Sequence, residues 1–208
     1  MNPRPPFNAK AALRLPPLPQ AFYERPALDV APALLGKLLI GRIGDGTAKV
    51  ARVVEVEAYL GEKDAASHAR RGPTPRAAIM FGPPARLYVY LIYGMHHCMN
   101  VVCETNGVAG AVLLRAAEPL AGFWEATAKS LAGPGRLCAG FGVTRAHNGL
   151  LLDARTELYL ADDGWRPDQI GRSARVGVAY AGDWAEAPLR FFVPGHQSVS
   201  GPRRMQQT

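Results

Sequence analysis

The residues predict a single α+β domain: a curved, mainly antiparallel β-sheet flanked by helices, with one protruding β-hairpin. Three observations carry this reading. Residues 86–103, RLYVYLIYGMHHCMNVVC, read as strand, turn and strand around a glycine. Runs at 38–42, 48–60, 111–117, 150–161, 175–179 and 189–193 also have strand character, and turn residues separate them. The 208 residues are 48% hydrophobic, enough for one sizeable core, and no repeat or linker divides them.

Taken in order, residues 2–20 hold Pro3, Pro5, Pro6, Pro16, Pro17 and Pro19, so residues 1–20 are expected to be a disordered, Pro-rich tail. The domain is expected over residues 21–201, beginning near Phe22, with a short C-terminal tail at 202–208. Residues 28–37 suggest a short helix, with Asp29 near its start, Gly36 at its end, and Pro32 tolerable only in a first turn. A short strand at 38–42 leads to a turn at Gly44-Asp45-Gly46. Residues 48–60, AKVARVVEVEAYL, alternate well. Simple alternation puts Val50, Arg52, Val54 and Val56 on one face, and Ala51, Val53, Glu55, Glu57 and Tyr59 on the other. Two carboxylates on a buried face need a partner or a function; on a solvated face they are ordinary.

Residues 61–84 form a long connection rich in Gly, Pro and basic side chains, a composition that favours function over plain connection. In the central hairpin, Tyr88, Tyr90 and Ile92 alternate with Leu87, Val89, Leu91 and Tyr93. Gly94 permits a tight turn that would push Tyr93 out to the tip. Asn106-Gly107 is a strong turn signal. Residues 111–117, AVLLRAA, read as a buried strand in which Arg115 needs a carboxylate, a carbonyl or a phosphate. Residues 123–131 are a helix candidate, and Gly133-Pro134-Gly135 opens another whose small residues let a backbone approach a phosphate.

The formal charge is +7, the isoelectric point is near 9.6, and 19 of the 24 basic residues are Arg. Guanidinium groups suit bidentate phosphate contacts, so nucleic acid is the first partner to consider. An aromatic at the tip of a hairpin on a basic protein suits wedging between base pairs. Three cysteines make no disulfide framework, no run has the length of a membrane span, and the start lacks the apolar core of a signal peptide. An intracellular, cytoplasmic location is the expectation, with no membrane partner. His96, His97, Cys98 and Cys103 are close in sequence, but a strand points them to different faces, so no metal site is expected. No Walker A loop, dinucleotide fingerprint or serine elbow occurs, and no cofactor is expected.

The segment VVEVEAYLG, followed by DAASHARRGPTPR, MFGPPARLYVYLIYGMHHCMNVV and AVLLRAAEPL, closely resembles the alkyladenine (3-methyladenine) DNA glycosylase family. GPGRLC, ARVGVAYAGDWAEAPLRFFV and the closing Val199-Ser200 fit as well, so the resemblance runs from about Phe22 to Ser200. It implies that Glu57 activates water. It implies that Tyr59, His68 and Tyr90 line the pocket for a flipped base, and that Asn100 crowds the exocyclic amino group of normal guanine. Tyr93 would wedge into the minor groove. Arg115 matches a basic residue near Glu57 and the backbone of the flipped nucleotide. Met80 and Met95 would pack near the lesion, and Arg76 and Arg136 would support DNA binding. The implied partner is duplex DNA carrying a damaged purine, bound by a monomer without an obligatory metal.

The implied activity is monofunctional: hydrolysis of the N-glycosidic bond of alkylated purines, with deaminated purines left open, as the start of base excision repair. A non-catalytic nucleic-acid-binding module of the same fold is the rival reading. Cationic alkylpurines leave readily, so one carboxylate can suffice where sugar hydrolases use two. Only Lys49 and Lys63 lie near Glu57 in sequence, which gives a Schiff-base lyase no support.

Overall fold

The computed structural model describes residues 7–44 and 46–201. An eight-stranded sheet dominates it, and every pairing between strands is antiparallel. The strands are β1 (Leu38–Gly41), β2 (Lys49–Tyr59), β3 (Leu87–Ile92), β4 (His96–Val102), β5 (Ala111–Ala121), β6 (Leu158–Ala161), β7 (Gly171–Ser173) and β8 (Arg190–Phe192). Their order is β3-β4-β5-β2-β1-β6, with β8 joining β2 and β7 joining β8. Among the described residues, four short α-helices accompany it: α1 (Ala9–Ala12), α2 (Gln20–Tyr23), α3 (Ala27–Leu34) and α4 (Pro134–Phe141). The expected α+β domain is what forms.

The long strand β2 is the organising element. One of its edges pairs with β5, while the other pairs first with β1, at residues 49–52, and then with β8, at residues 55–57. Paired irregularities interrupt the β2–β5 ladder, one between Val53 and Glu55 and one between Glu55 and Val56. They change the faces that simple alternation would assign. The main core takes Ala51, Val53, Val56 and Ala58 from β2, and Val112, Leu114 and Ala117 from β5. Val54 and Ala116 belong to a separate cluster with Phe192 and Val199. The inward alternation therefore skips a residue on each strand, which is what a bulge does. Val53 is a core residue together with Val56, not a member of a face shared with Glu57.

The core lies between this sheet and α3 and α4, with Val30, Leu34, Leu137 and Phe141 fully buried. The helix α3 begins one residue before the expected start, where Glu104 Oε1 accepts from the Ala27 N–H at 2.7 Å and caps an end that lacks a local cap. Pro32 lies in its second turn, and the helix stops two residues later.

Four further expectations need correction. The tail reading fails from Phe7 onward. Asn8 caps α1, Ala12 is buried against Leu38, Ile40 and Tyr159, and the Leu18 N–H donates to the Leu160 carbonyl at 2.7 Å. Phe7, Leu13, Leu15 and Leu18 supply apolar surface that outweighs the donors the prolines remove. Residues 1–6 and the tail at 202–208 lie outside the described residues. The helix candidate at 123–131 is a series of turns, because Gly122 and Glu125 both take positive φ, at 79° and 46°. Residues 175–179 are also a turn, around Gly177, and the strand of that region is β7, whose sequence GRS has no readable alternation. Of 150–161, only the last four residues are a strand.

Candidate active site

The hairpin β3–β4 shows why its residue pattern makes a site. Leu87, Val89, Met99 and Val101 face the core, which leaves Tyr88, Tyr90 and Asn100 on the opposite face. Tyr88 pairs directly with Asn100, whose Nδ2 donates to the Tyr88 carbonyl at 3.0 Å. That bond fixes the orientation of a side chain only 3% exposed. Tyr93 and Gly94 are the central residues of the β-turn from Ile92 to Met95, within the three-residue loop between the paired Ile92 and His96, with φ of 53° and 70°. Two positive-φ residues match the twist of a hairpin, but a tyrosine there is rare and costs backbone energy. Tyr93 is 81% exposed and Met95, beside it, 70%.

Tyr59, Ala66, His68, Met80, Tyr88, Tyr90, Asn100 and Tyr180 line one recess of about 320 Å³, open solvent at its mouth included. Its walls are aromatic. His68 meets Tyr90 edge-on at 4.7 Å, and the Tyr88 and Tyr90 rings lie 5.3 Å apart. The Tyr88 hydroxyl is 2.7 Å from His68 Nδ1. Burial, assisted by Arg76 nearby, pushes the His68 pKa down to about 4, so its ring is neutral at neutral pH. Arg76 lies over the Tyr90 ring, 5.0 Å from its centroid, at the rim.

Glu57 stands behind this recess and is fully buried. Its Oε1 accepts from the Val176 N–H at 2.7 Å and lies 3.2 Å from Arg115 Nη1. Its Oε2 accepts from the Tyr59 hydroxyl at 2.9 Å. Burial first, and the Glu57 charge second, raise the Tyr59 pKa well above its ordinary value, so the phenol keeps its proton and donates it. Behind Tyr59, Arg175 lies 4.7 Å from the ring centroid and is paired with Asp64, both side chains fully buried. Asp64 also accepts from the N–H groups of Leu60 and Ala66. One buried pair thus ties the end of β2, the following loop and residue 175 into a fixed wall.

Of the residues singled out in the sequence, Tyr59, His68, Tyr90, Asn100 and Met80 share the recess, with Glu57 behind it and Arg76 at its rim. Arg115, expected near Glu57 and at a nucleotide backbone, is beside Glu57 but only 7% exposed, and it bonds Glu55 and Ser200 as well. Met95 is not in the recess; it sits next to Tyr93 at the tip, because the turn carries it past the last pocket residue of the strand. Arg136 is exposed in the first turn of α4, and the neighbouring Gly135 packs against His96 at the base of the hairpin tip.

Several residues of the site were not anticipated. Tyr88 shares a strand face with Tyr90, and alternation alone could have found it. Arg175 and Tyr180 come from a segment distant in sequence, and Asp64 from the connection that follows β2; no local pattern pairs them. The three cysteines, Cys98, Cys103 and Cys138, are free and buried, and burial pushes each thiol pKa up. Among the described residues, no three His, Cys, Asp or Glu side chains come together as metal ligands, and no helix is long and apolar enough to cross a membrane.

The fold and the recess define a class: an antiparallel-sheet protein with a buried acid set behind an aromatic recess. The family model described as Methylpurine-DNA glycosylase (MPG) matches residues 21–197, and the chain belongs to that family. A protein of Anaeromyxobacter dehalogenans (strain 2CP-1) is 51% identical over 185 residues, covering 89% of this chain and 86% of its own length. One of Myxococcus xanthus is 51% identical over 189 residues, covering 89% and 94%. One of Methanocella arvoryzae is 45% identical over 197 residues, covering 89% and 96%. All three carry the name "Putative 3-methyladenine DNA glycosylase".

Proposed function

We propose that this chain is a monofunctional DNA glycosylase that flips an alkylated purine out of duplex DNA and hydrolyses its N-glycosidic bond, with Glu57 activating the water. The observation that carries this is Glu57 itself: a buried carboxylate, fixed on three sides, directly behind a recess walled by aromatic rings. The names of the relatives point to 3-methyladenine as a substrate.

In this mechanism the base leaves the stack because a glycosylase cannot reach C1′ within the duplex. The Tyr59, Tyr88 and Tyr90 rings favour a cationic purine by cation–π attraction. A neutral His68 adds no like charge to oppose it. The C1′–N bond breaks with its electron pair passing to the purine, which neutralises the ring. Water adds to C1′ and gives its proton to Glu57, whose charge also steadies the oxocarbenium character of the sugar. Asn100, held by the Tyr88 carbonyl, stands against the exocyclic amino group of normal guanine. Arg76 and Arg136 take phosphates.

The test is direct. The protein is incubated with a duplex carrying one methylated purine, then treated with alkali. A strand break at the lesion supports the reading; an intact strand with retained binding would leave a binding module of the same fold.

Tyr93 would fill the gap left by the extruded nucleotide. Tyr93→Ala is expected to slow excision from duplex DNA by about tenfold or more, since unstacking costs a few kcal/mol per step and the wedge offsets part of it. Tyr93→Phe should stay close to the wild-type rate, because the ring and not the hydroxyl does the filling. Equal rates for Tyr93→Ala and the wild type would remove Tyr93 from the DNA interface.

A further inference from the structure

Glu55 is as fully buried as Glu57, but it makes no bond to a residue that lines the recess, whereas Glu57 bonds Tyr59. Its carboxylate accepts four hydrogen bonds: from Arg115 Nε at 2.8 Å, Arg190 Nε at 2.7 Å, the Ser200 N–H at 2.7 Å and Ser200 Oγ at 2.9 Å. The skip in alternation makes this possible, because it turns Glu55 and Arg115 away from the main core at the same level of the β2–β5 ladder. Arg115 Nη1 lies 3.2 Å from Glu57, while its Nε donates to Glu55. Arg190 stands directly opposite Glu57 in the β2–β8 pairing, yet its Nε is drawn to Glu55 as well.

Arg115 therefore lies beside Glu57 and Arg190 opposite it in the strand pairing, and the neighbouring Glu55 takes up the Nε of each. Burial opposes the charge on Glu55, but Arg115 and Arg190 outweigh it and hold its pKa below the ordinary carboxylate value. We propose that Glu55 is a positioning residue for base hydrolysis: it takes up Arg115 and Arg190, and so keeps Glu57 out of a two-pronged ion pair that would tie up Oε2, the oxygen bonded to Tyr59 of the recess. The proposal rests on Glu57 as the water-activating acid. Without the Glu55 charge, two buried guanidinium groups would share one carboxylate. An arginine fork prefers a bidentate carboxylate, so Arg115 would swing fully onto Glu57.

The experiment uses full-length Glu55→Gln, Glu55→Asp and Glu57→Gln beside the wild type. Single-turnover release of a methylated purine from a duplex is measured, together with the Kd for the same duplex by gel shift. Glu55→Gln is expected to slow release by about 10- to 100-fold, the scale of a misplaced reacting group, with Kd unchanged. Glu55→Asp keeps the charge and should release base faster than Glu55→Gln. A purely structural role predicts the reverse, because Gln matches the shape of Glu and Asp does not. A rate for Glu55→Gln equal to the wild type, or at least that of Glu55→Asp, overturns the proposal. If Glu55→Gln does not fold, Glu55→Gln/Arg190→Gln removes one charge of each sign and replaces it. A rate near that of Glu55→Asp then supports charge uptake, and a rate as low as that of Glu57→Gln overturns it. Failure of the underlying function looks different: the wild type would release no base, or Glu57→Gln would release it equally fast.

Discussion

Glu57→Gln is expected to abolish base release while lesion-duplex binding survives. General-base assistance is worth about 10²–10⁴-fold, and the lost charge beside the sugar cation adds to it. Folding should be preserved, because the amide can satisfy the same partners. Its oxygen can take the Oε1 place and accept from Val176 and Arg115, while its NH₂ faces the Tyr59 hydroxyl, which can turn and accept. The variant thus keeps the wall of the recess and loses only the proton acceptor and the charge. Single-turnover release of a methylated purine, alongside a gel-shift titration, measures both. An undiminished rate would mean that the reaction is not built on β2.

Asp64→Ala is expected to cost about 3–5 kcal/mol of stability, the cost of leaving one partner of a buried ion pair alone. Arg175 would keep its charge with no anion, and two N–H groups, at Leu60 and Ala66, would lose their acceptor. The melting temperature should fall by about 10 °C, followed by circular dichroism. Because Arg175 lies against the Tyr59 ring, base release from the folded fraction should fall too. A shift of under about 1 kcal/mol would mean that water reaches Arg175 once Asp64 is gone, as for an exposed pair.

These two residues mark how far the sequence could be read. Glu57, Tyr59 and Tyr90 stand in alternating runs bounded by turn residues, and such runs announce strands because side chains repeat every second residue. The hairpin tip was legible for the same reason, since Gly94 ends one run and a second follows at once. Asp64 and Arg175 are 111 residues apart, and nothing local in either segment requires the other. The face of Val53 was misassigned because a bulge leaves no mark in an apolar pattern: Val-Val-Glu reads the same with or without it. The failed helix at 123–131 has the same cause in another form. Its composition suits a helix, and the positive φ of Glu125 is imposed by the chain around it. The N-terminal segment shows the converse: a proline-rich composition argued against structure, while four apolar side chains found the open side of β1 and β6.

The three buried thiols have a bearing on the surroundings in which such a protein works. DNA acquires alkylated purines where electrophilic methyl donors are present, and a thiolate is the side chain such reagents attack most readily. Cys98, Cys103 and Cys138 are enclosed by the core, and burial disfavours the thiolate in each. The folded chain therefore offers little to the chemistry whose products it would remove: iodoacetamide should label it far more slowly than it labels the same chain unfolded in urea. Resistance of this kind comes from packing alone, so any variant that loosens the core gives up durability under alkylation along with stability.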